Sequence, residues 1–145
     1  MSIAKSLLSG LAGAVTLTIL HETARRILHD APRMDLLGMR AIEKGYKAIN
    51  ETPPSSDNLF ALSMAGDMLS NTAYYSLAGC GKNSVAKGAF LGLAAGIGGV
   101  VLPGPMGLGE DASARTPQTK IMTCALYLLG GLTAGAVAAA LNNKK

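Results

Sequence analysis

The stretch NLFALSMAGDMLSNTAYYSLAGC, residues 58–80, has the length and apolar character of a membrane helix but holds Asp67 near its middle. A helix of about 20 apolar residues is long enough to cross the roughly 30 Å of hydrocarbon in a bilayer. A carboxylate at that depth costs roughly 2.5 to 3.5 kcal/mol on insertion scales. Asp67 is therefore expected to face the interior of a helix bundle or a wet cavity and to have a partner there.

The whole chain is apolar for its size. Only 15% of its 145 residues are charged, 18 are glycine, and the mean hydropathy is +0.31. Soluble domains carry about 25% charged residues. This composition indicates a membrane protein whose main partner is the lipid bilayer.

Four segments have the length and hydropathy of membrane helices, and one more is amphipathic. Helices are expected at about 3–29, 58–80, 84–102 and 119–141, and a surface helix at about 34–49. The surface helix is expected because its apolar and charged residues separate at helical spacing. The predicted fold is an all-α integral membrane protein, one domain of residues 1–145. It is a four-transmembrane-helix bundle with an interfacial helix between helices 1 and 2.

Asp67 begins a predicted polar stripe, because Asn71 and Tyr74 or Tyr75 follow it at helical spacing. Its best charged partner is Arg25 or Arg26 at the far end of the first helix. Three interpretations stay open: a polar clasp that fixes helix register, a proton or cation site, and a pocket for a ligand or lipid headgroup. The candidate intramembrane set is Asp67, Asn71, Tyr74, Glu22 and Arg25.

Small residues recur every four positions in three of the predicted helices. Lipid supplies no hydrophobic force between helices, so close packing depends on residues that let the backbones approach. The pattern favours packing inside one bundle; a homo-oligomer interface or a glycine-zipper pore is the alternative. The helix-packing candidates are Gly88, Gly92, Gly96, Gly131 and Gly135, with Ser6, Gly10 and Ala14 in helix 1.

Two stretches, GLAGAVTLTILHETARRILHDAPR and GAFLGLAAGIGGVVLPGPMGLG, resemble spans of the YagU-like small bacterial inner-membrane proteins. The matching residues are Gly10, Gly13, Glu22, Pro32 and Arg33, then Gly92, Gly96, Pro103 or Pro105, Met106, Gly107 and Leu108. The resemblance implies an inner-membrane protein whose Pro-Arg and Met-Gly-Leu elements face the periplasm. It implies no activity.

The segment PGPMGLGEDASARTPQTK, between the third and fourth predicted spans, is too apolar at its start for a plain solvent loop. Non-helical backbone near membrane depth persists only when it is buried in protein or lines a cavity. The segment is expected to cap the periplasmic mouth of the bundle, with an interfacial turn as the alternative. The mouth candidates are His21, Arg26, Arg33, Asp35, Met106 and Gly107.

Charge gives the expected orientation. One side of the bundle carries five lysines and no acid, and the other carries eight Lys or Arg and eight Asp or Glu. A strict count of positive charges favours the second side as cytoplasmic. The five lysines, however, lie in very short segments without acids, so both termini are expected in the cytoplasm.

No complete catalytic or metal-binding set is present in the sequence. His21 and Glu22 are adjacent, so on a helix they point about 100 degrees apart and cannot share a metal. The lysines form no stripe with aromatic residues, so nucleic acid is not an expected partner. No cofactor is expected, and the two cysteines are predicted near opposite membrane faces.

Two functions remain as hypotheses. The first is a non-enzymatic inner-membrane protein with a structural or accessory role, which contacts another membrane protein or a second copy of itself. The second is a transporter-like or channel-like protein that handles protons or small solutes at Asp67. A cavity that leads from Asp67 to either face would favour the second.

Overall fold

The structure, a computed structural model, describes residues 2–80 and 82–143. Within these ranges the chain is helical and contains no strand. The helices are α1 (Ile3–Ile27), α2 (Met34–Ala48), α3 (Ser56–Ser76), α4 (Ser84–Val101), α5 (Asp111–Ala114) and α6 (Pro117–Asn143), and a 3-10 turn (Leu77–Gly79) follows α3.

Local sequence explains where the two longest helices begin and where the first one ends. Ser2 caps α1, because its side chain accepts a hydrogen bond from the Lys5 backbone. Thr116 accepts a similar bond from the Thr119 backbone, and Pro117 occupies the first position of α6, where its missing N–H is not needed. The α1 helix ends at Ile27 because Leu28 is extended, just before the Asp-Ala-Pro break.

The four long helices are antiparallel to their neighbours. The α1 helix packs between α3 and α6, and α4 packs against α6. The start of α1 meets the ends of both partners: Gly10 approaches Thr72 of α3, and Lys5 donates a 2.8 Å hydrogen bond to the Leu141 carbonyl of α6. The α3 and α4 helices make few contacts with each other. An open seam therefore separates them.

The short elements lie at one end of the bundle, which we call the α2 end. This end contains the ends of α1 and α4 and the starts of α3 and α6. The α2 helix packs across α3 there, with Gly38 against Ser63, and α5 packs beside both α2 and α6. Ser2 and Asn143 lie at the opposite end.

Side chains are distributed as in a membrane bundle, with large apolar groups outside and small or polar groups inside. The interior includes Ser9, Thr119 and Thr123, each fully buried. Helices that associate in lipid place small residues at their contacts and leave large apolar ones to the lipid. The exposed large apolar side chains include Leu8, Ile19, Phe90, Ile97, Val101 and Ile121.

Three helices in the described ranges are long and apolar enough to cross a membrane: α1, α4 and α6. The prediction of an all-α protein with membrane-spanning helices is confirmed at this level, and the chain fits a multi-pass membrane protein. The α3 helix is not among the three, although it has 21 residues. Its mean hydropathy is lowered by Asp67, Asn71 and several serines. The fourth span and the interfacial helix remain predictions.

The helix bounds lie within two residues of the predicted ones, apart from the end of the span predicted at 58–80. That helix ends at Ser76, and the 3-10 turn Leu77–Gly79 follows it. The loop after α4 contains the short helix α5, which the sequence did not predict. Lys144 and Lys145, which enter the orientation argument, lie outside the described residues.

Candidate functional site

The glycines predicted to pack helices line the contact between α4 and α6. A Cβ atom added to Gly92 would lie 2.6 Å from the Tyr127 carbonyl oxygen and 2.8 Å from the Leu128 Cα atom. A Cβ on Gly88 would likewise meet the backbone of Gly131 and Gly135. These distances are shorter than any van der Waals contact, so both backbones touch through their glycines. The glycine track of α4, formed by Gly88, Gly92 and Gly96, is therefore covered by α6 of the same chain.

Four of the predicted site residues at the α2 end, Glu22, Arg25, Arg33 and Asp35, form two separate ion pairs. Arg25 donates hydrogen bonds of 2.7 and 2.6 Å to the Glu22 carboxylate. Arg33 donates bonds of 2.9 and 2.7 Å to Asp35, whose side chain is buried. Burial by itself would raise the pKa of Asp35, but Arg33 and the charge of Arg25 outweigh it and hold the pKa below its ordinary value.

The predicted partnership of Asp67 with Arg25 or Arg26 is wrong. Arg25 is engaged by Glu22 one turn earlier on α1, and Arg26 lies 3.5 Å from the same carboxylate with its side chain largely exposed. Pairing within one helix needs less ordering than reaching across to another helix. Asp67 instead has the side chain of Asn71, one turn later on α3, as its hydrogen-bond partner. The sequence predicted the polar stripe that Asp67 forms with Asn71, but the ion pair that it predicted between Asp67 and an arginine of α1 is absent among the described residues.

His21 is buried inside the bundle without a hydrogen-bond partner at either ring nitrogen. Its ring meets the edge of Tyr127, with ring centroids 5.5 Å apart and an angle of 71° between the planes. Tyr75 donates a 2.8 Å hydrogen bond to the Tyr127 backbone carbonyl. His21 was predicted at the mouth, but it is an interior residue that contacts α6.

The open seam between α3 and α4 contains a cavity of about 440 Å³ near the α2 end. We call it the α3–α4 cleft. Its walls are mainly apolar, and α3 contributes most of the polar groups. The lining residues are Met34, Leu37, Ser70, Asn71, Tyr74, Ala94, Ala95, Gly98, Gly99, Leu102, Pro103, Met106 and Tyr127.

The polar groups of the cleft are largely occupied. Ser70 donates to the Asp67 carbonyl of its own helix, at 3.2 Å, and Tyr74 donates to the Leu91 carbonyl of α4, at 3.0 Å. Asn71 lines the cleft, and its side chain is hydrogen-bonded to Asp67, one turn earlier on α3. The cleft therefore offers an apolar surface with one amide, a composition suited to binding an apolar or amphipathic molecule.

A basic cluster, formed by Arg40, Lys44 and Lys47 of α2, lies beside the cleft at its α2 end. Lys44 donates a hydrogen bond to the carbonyl of Met106, which itself lines the cleft. Arg40 donates to the Leu108 carbonyl at 2.9 Å and to both oxygens of Asp111. These bonds from Arg40 hold the pKa of Asp111 below its ordinary value. They also fasten the loop after α4 onto α2.

The structure brings some of the predicted site residues together and separates others. Asp67, Asn71 and Tyr74 share one region of α3, while Glu22 and Arg25 form their own pair on α1. Met106 lines the cleft, and Gly107, with a φ of +69°, makes the turn beside Lys44. In the part of the chain that the structure describes, no three His, Cys, Asp or Glu side chains group as a metal site would require.

Arg40, Lys44, Asp111 and Tyr127 were not predicted as site residues. The four-residue spacing of Arg40 and Lys44 marked the polar face of α2, but their contacts are with a loop more than 60 residues away along the chain. Sequence spacing carries no signal for such a contact. Searches of protein-family models, curated proteins and solved structures found no match to this chain. Its function is therefore inferred from the geometry of its own residues.

Proposed function

We propose that the chain is a four-span protein of the bacterial inner membrane with a non-enzymatic, accessory role. The observation that carries the proposal is the direction of the helices. The α4 helix is antiparallel to α6, and α6 is antiparallel to α1, so α1 and α4 run the same way. If both cross the membrane, the chain between them has to return through it.

The α3 helix is the element that makes this return. Its 21 residues extend about 32 Å at 1.5 Å per residue, which matches the hydrocarbon thickness. Its polar residues fit such a span because Asn71 is buried and Asp67 is bonded to it. A polar residue in a membrane helix is expected to face the bundle and to have a partner.

The α2 helix then lies at the membrane surface and both termini lie on one side. Most of the cations at the α2 end are engaged in ion pairs with Glu22, Asp35, Glu43, Asp111 or Asp30. Because these cations are paired with acids, the α2 end has little net positive charge, whereas the lysines at the opposite end lie in segments whose sequence contains no Asp or Glu. This contrast supports placing the opposite end, with both termini, in the cytoplasm. The bacterial inner membrane is proposed from the YagU-like resemblance.

An accessory role is supported by how the polar groups of the bundle are used. Tyr74, Tyr75 and Thr123 donate their hydroxyl groups to backbone carbonyls of other segments. The glycine track of α4 faces α6 of the same chain, so it is not free to join two copies. We therefore expect a monomer in mild detergent, measured by light scattering; a stable homo-oligomer would favour the self-associating alternative.

Single-cysteine labelling tests the placement of α3. In a chain with Cys80→Ser and Cys124→Ala, the exposed sites Glu51→Cys and Lys82→Cys flank this helix. A membrane-impermeant thiol reagent should label them from opposite sides of the membrane. Glu110→Cys is the matched control and should label from the same side as Glu51→Cys. Labelling of Glu51→Cys and Lys82→Cys from one side would contradict the four-span proposal.

A second candidate function is proton or small-solute handling at Asp67. The observation in its favour is that the α3–α4 cleft reaches Asn71, the partner of Asp67. Asp67→Asn should then abolish pH-linked flux in vesicles containing the protein while leaving its melting temperature unchanged, because an amide cannot titrate. Asp57→Asn, at the exposed start of α3, is the control. Equal flux in all three chains would exclude this function.

A further inference from the structure

We propose that the α3–α4 cleft and the neighbouring basic cluster together bind an anionic phospholipid, with an acyl chain in the cleft and the phosphate at Lys44. This inference rests on the proposed function in one respect: the cleft opens into lipid only if α3 crosses the membrane.

The cleft has the chemistry of an acyl-chain site. Its lining is almost entirely apolar, with methionine and leucine from α2 and small residues from α4. Its volume of about 440 Å³ lies within the range of roughly 300–1,000 Å³ found for ligand pockets. Ser70 and Tyr74 bond to backbone carbonyls, and Asn71 bonds to Asp67. A hydrocarbon chain needs no partner there.

The seam between α3 and α4 gives the cleft a lateral opening. Ala94 and Leu102 line it and are exposed on the surface of the bundle. Beside them, Leu93, Ile97 and Val101 are exposed large apolar side chains of the same helix. A lipid of the surrounding bilayer can therefore enter sideways, whereas a polar solute would have to cross an apolar surface.

The headgroup site is defined by the α2 helix. Leu37 contacts the cleft, and Lys44 lies seven residues later, about 10 Å further along the helix axis. Lys44 is joined to the cleft wall through its bond to the Met106 carbonyl. Arg40 and Lys47 flank it, and they are neutralised by Asp111 at 2.8 Å and Glu43 at 2.6 Å. Lys44 is therefore the cation of this group that a phosphate can pair with. An apolar cleft that leads directly to such a cation matches an amphipathic anion, and a membrane phospholipid is the one that surrounds the protein.

The test uses the full chain reconstituted in vesicles of phosphatidylethanolamine and phosphatidylglycerol. The protein is released from the vesicles under mild conditions, and the lipids that stay bound to it are identified by native mass spectrometry. We expect one retained phosphatidylglycerol in preference to phosphatidylethanolamine. Lys44→Gln should weaken retention of phosphatidylglycerol about fivefold, since one cation near a membrane surface contributes about 1 kcal/mol. Ala94→Trp should weaken retention of both lipids about tenfold, the equivalent of roughly two lost methylene contacts.

Matched controls separate the site from general effects on the protein. Arg26→Gln removes an exposed cation at the same end of the bundle but on α1, and Ala125→Trp adds an indole to an exposed position of α6 outside the cleft. Both should retain lipid as the unmodified chain does.

Several outcomes would overturn the proposal. One is equal retention of the two lipids, and another is lipid retention by the Ala94→Trp variant equal to that of the unmodified chain. The others are a bound molecule that is not a phospholipid, and a measured mass that corresponds to two copies of the chain without lipid. The labelling of Glu51→Cys and Lys82→Cys is measured on the same preparation. Opposite-side labelling with no retained lipid rejects the lipid site and keeps the four-span placement, and same-side labelling rejects both.

Discussion

At the scale of single residues, the interior of this bundle contains satisfied and unsatisfied polar groups side by side. Thr123 donates to the Ser113 and Thr119 carbonyls, at 2.9 and 2.8 Å, while both ring nitrogens of the buried His21 lack a partner. A buried polar group without a hydrogen bond destabilises a protein, whereas a satisfied one does not. These two residues should therefore respond in opposite ways to replacement by an apolar group of similar shape.

His21→Phe should leave the melting temperature unchanged or raise it. Phenylalanine keeps the ring contact with Tyr127 and removes two unpartnered nitrogens. Thr123→Val is the comparison, and it should cost about 1 to 2 kcal/mol because it breaks buried hydrogen bonds. Thermal unfolding in one detergent measures both. A loss from His21→Phe as large as that from Thr123→Val would mean that a partner, such as a buried water, satisfies the imidazole.

Asp35 should make stability depend on acid pH. The pair with Arg33 holds the folded-state pKa of Asp35 below its unfolded value of about 3.8. Its contribution is therefore fully present above the unfolded pKa and is lost as the pH falls through the folded pKa. Asp35→Asn should lower stability by about 1 to 2 kcal/mol at pH 7, less than a fully buried pair because Arg33 is partly exposed.

Melting temperatures of the unmodified chain and of Asp35→Asn should converge as the pH is lowered below about 3.8. Asp57→Asn, at an exposed position, serves as the control and should follow the unmodified chain. A difference that stays constant down to the acid limit would show that Asp35 contributes by shape rather than by charge.

At the scale of helices, contact between backbones explains why glycine recurs every four residues in α4. The α4–α6 contact places a carbonyl or Cα atom where each glycine of the track would carry its Cβ. Because backbone atoms cannot move aside as a side chain can, the two helices have to separate if a methyl group is added. Not every glycine of the chain is constrained in this way: Gly66 on α3 has no atom within 4 Å of its Cβ position.

Gly92→Ala should therefore destabilise the protein by about 2 kcal/mol or more, as overpacking of a tight contact does. Gly66→Ala is the same chemical change without the clash, and it should be neutral or stabilise by up to about 1 kcal/mol through better helix propensity. Unfolding in detergent compares the two. If the variants were equally stable, the α4–α6 contact would not depend on Gly92.

At the scale of the whole molecule, the bundle is closed on one side and open on the other. The α1 and α6 helices are packed on both flanks, and α3 and α4 each have a free flank that faces the seam. The α2 helix and the loop after α4 close the seam at the α2 end, through Leu37, Met106 and the bonds of Arg40 and Lys44, and the 3-10 turn after α3 contacts α4 at the other end. The proposed lipid site depends on these free flanks of α3 and α4, because a lipid would enter the cleft between them.

Local signals in the sequence are sufficient to identify the helical elements and a membrane class. Apolar length and the helical separation of apolar and charged residues act within a few residues of the chain, so they located the four long helices and α2. Four-residue glycine spacing likewise identified which face of α4 is small. The polarity of α3 could be recognised from the sequence, and its crossing of the membrane stays a prediction.

The partners of the polar residues and the position of the cleft follow from contacts between helices and are seen in the fold alone. Arg25 could pair with Glu22 or with Asp67 as far as spacing allows, and the choice depends on distances between helices that the sequence does not encode locally. The contacts of Arg40 and Lys44 with the loop after α4 join segments far apart in the chain. The cleft lies where α3 and α4 are not in contact. Helices that pack closely need small residues at regular spacing, but helices that stay apart need no such pattern, so the sequence gives no signal for the cleft.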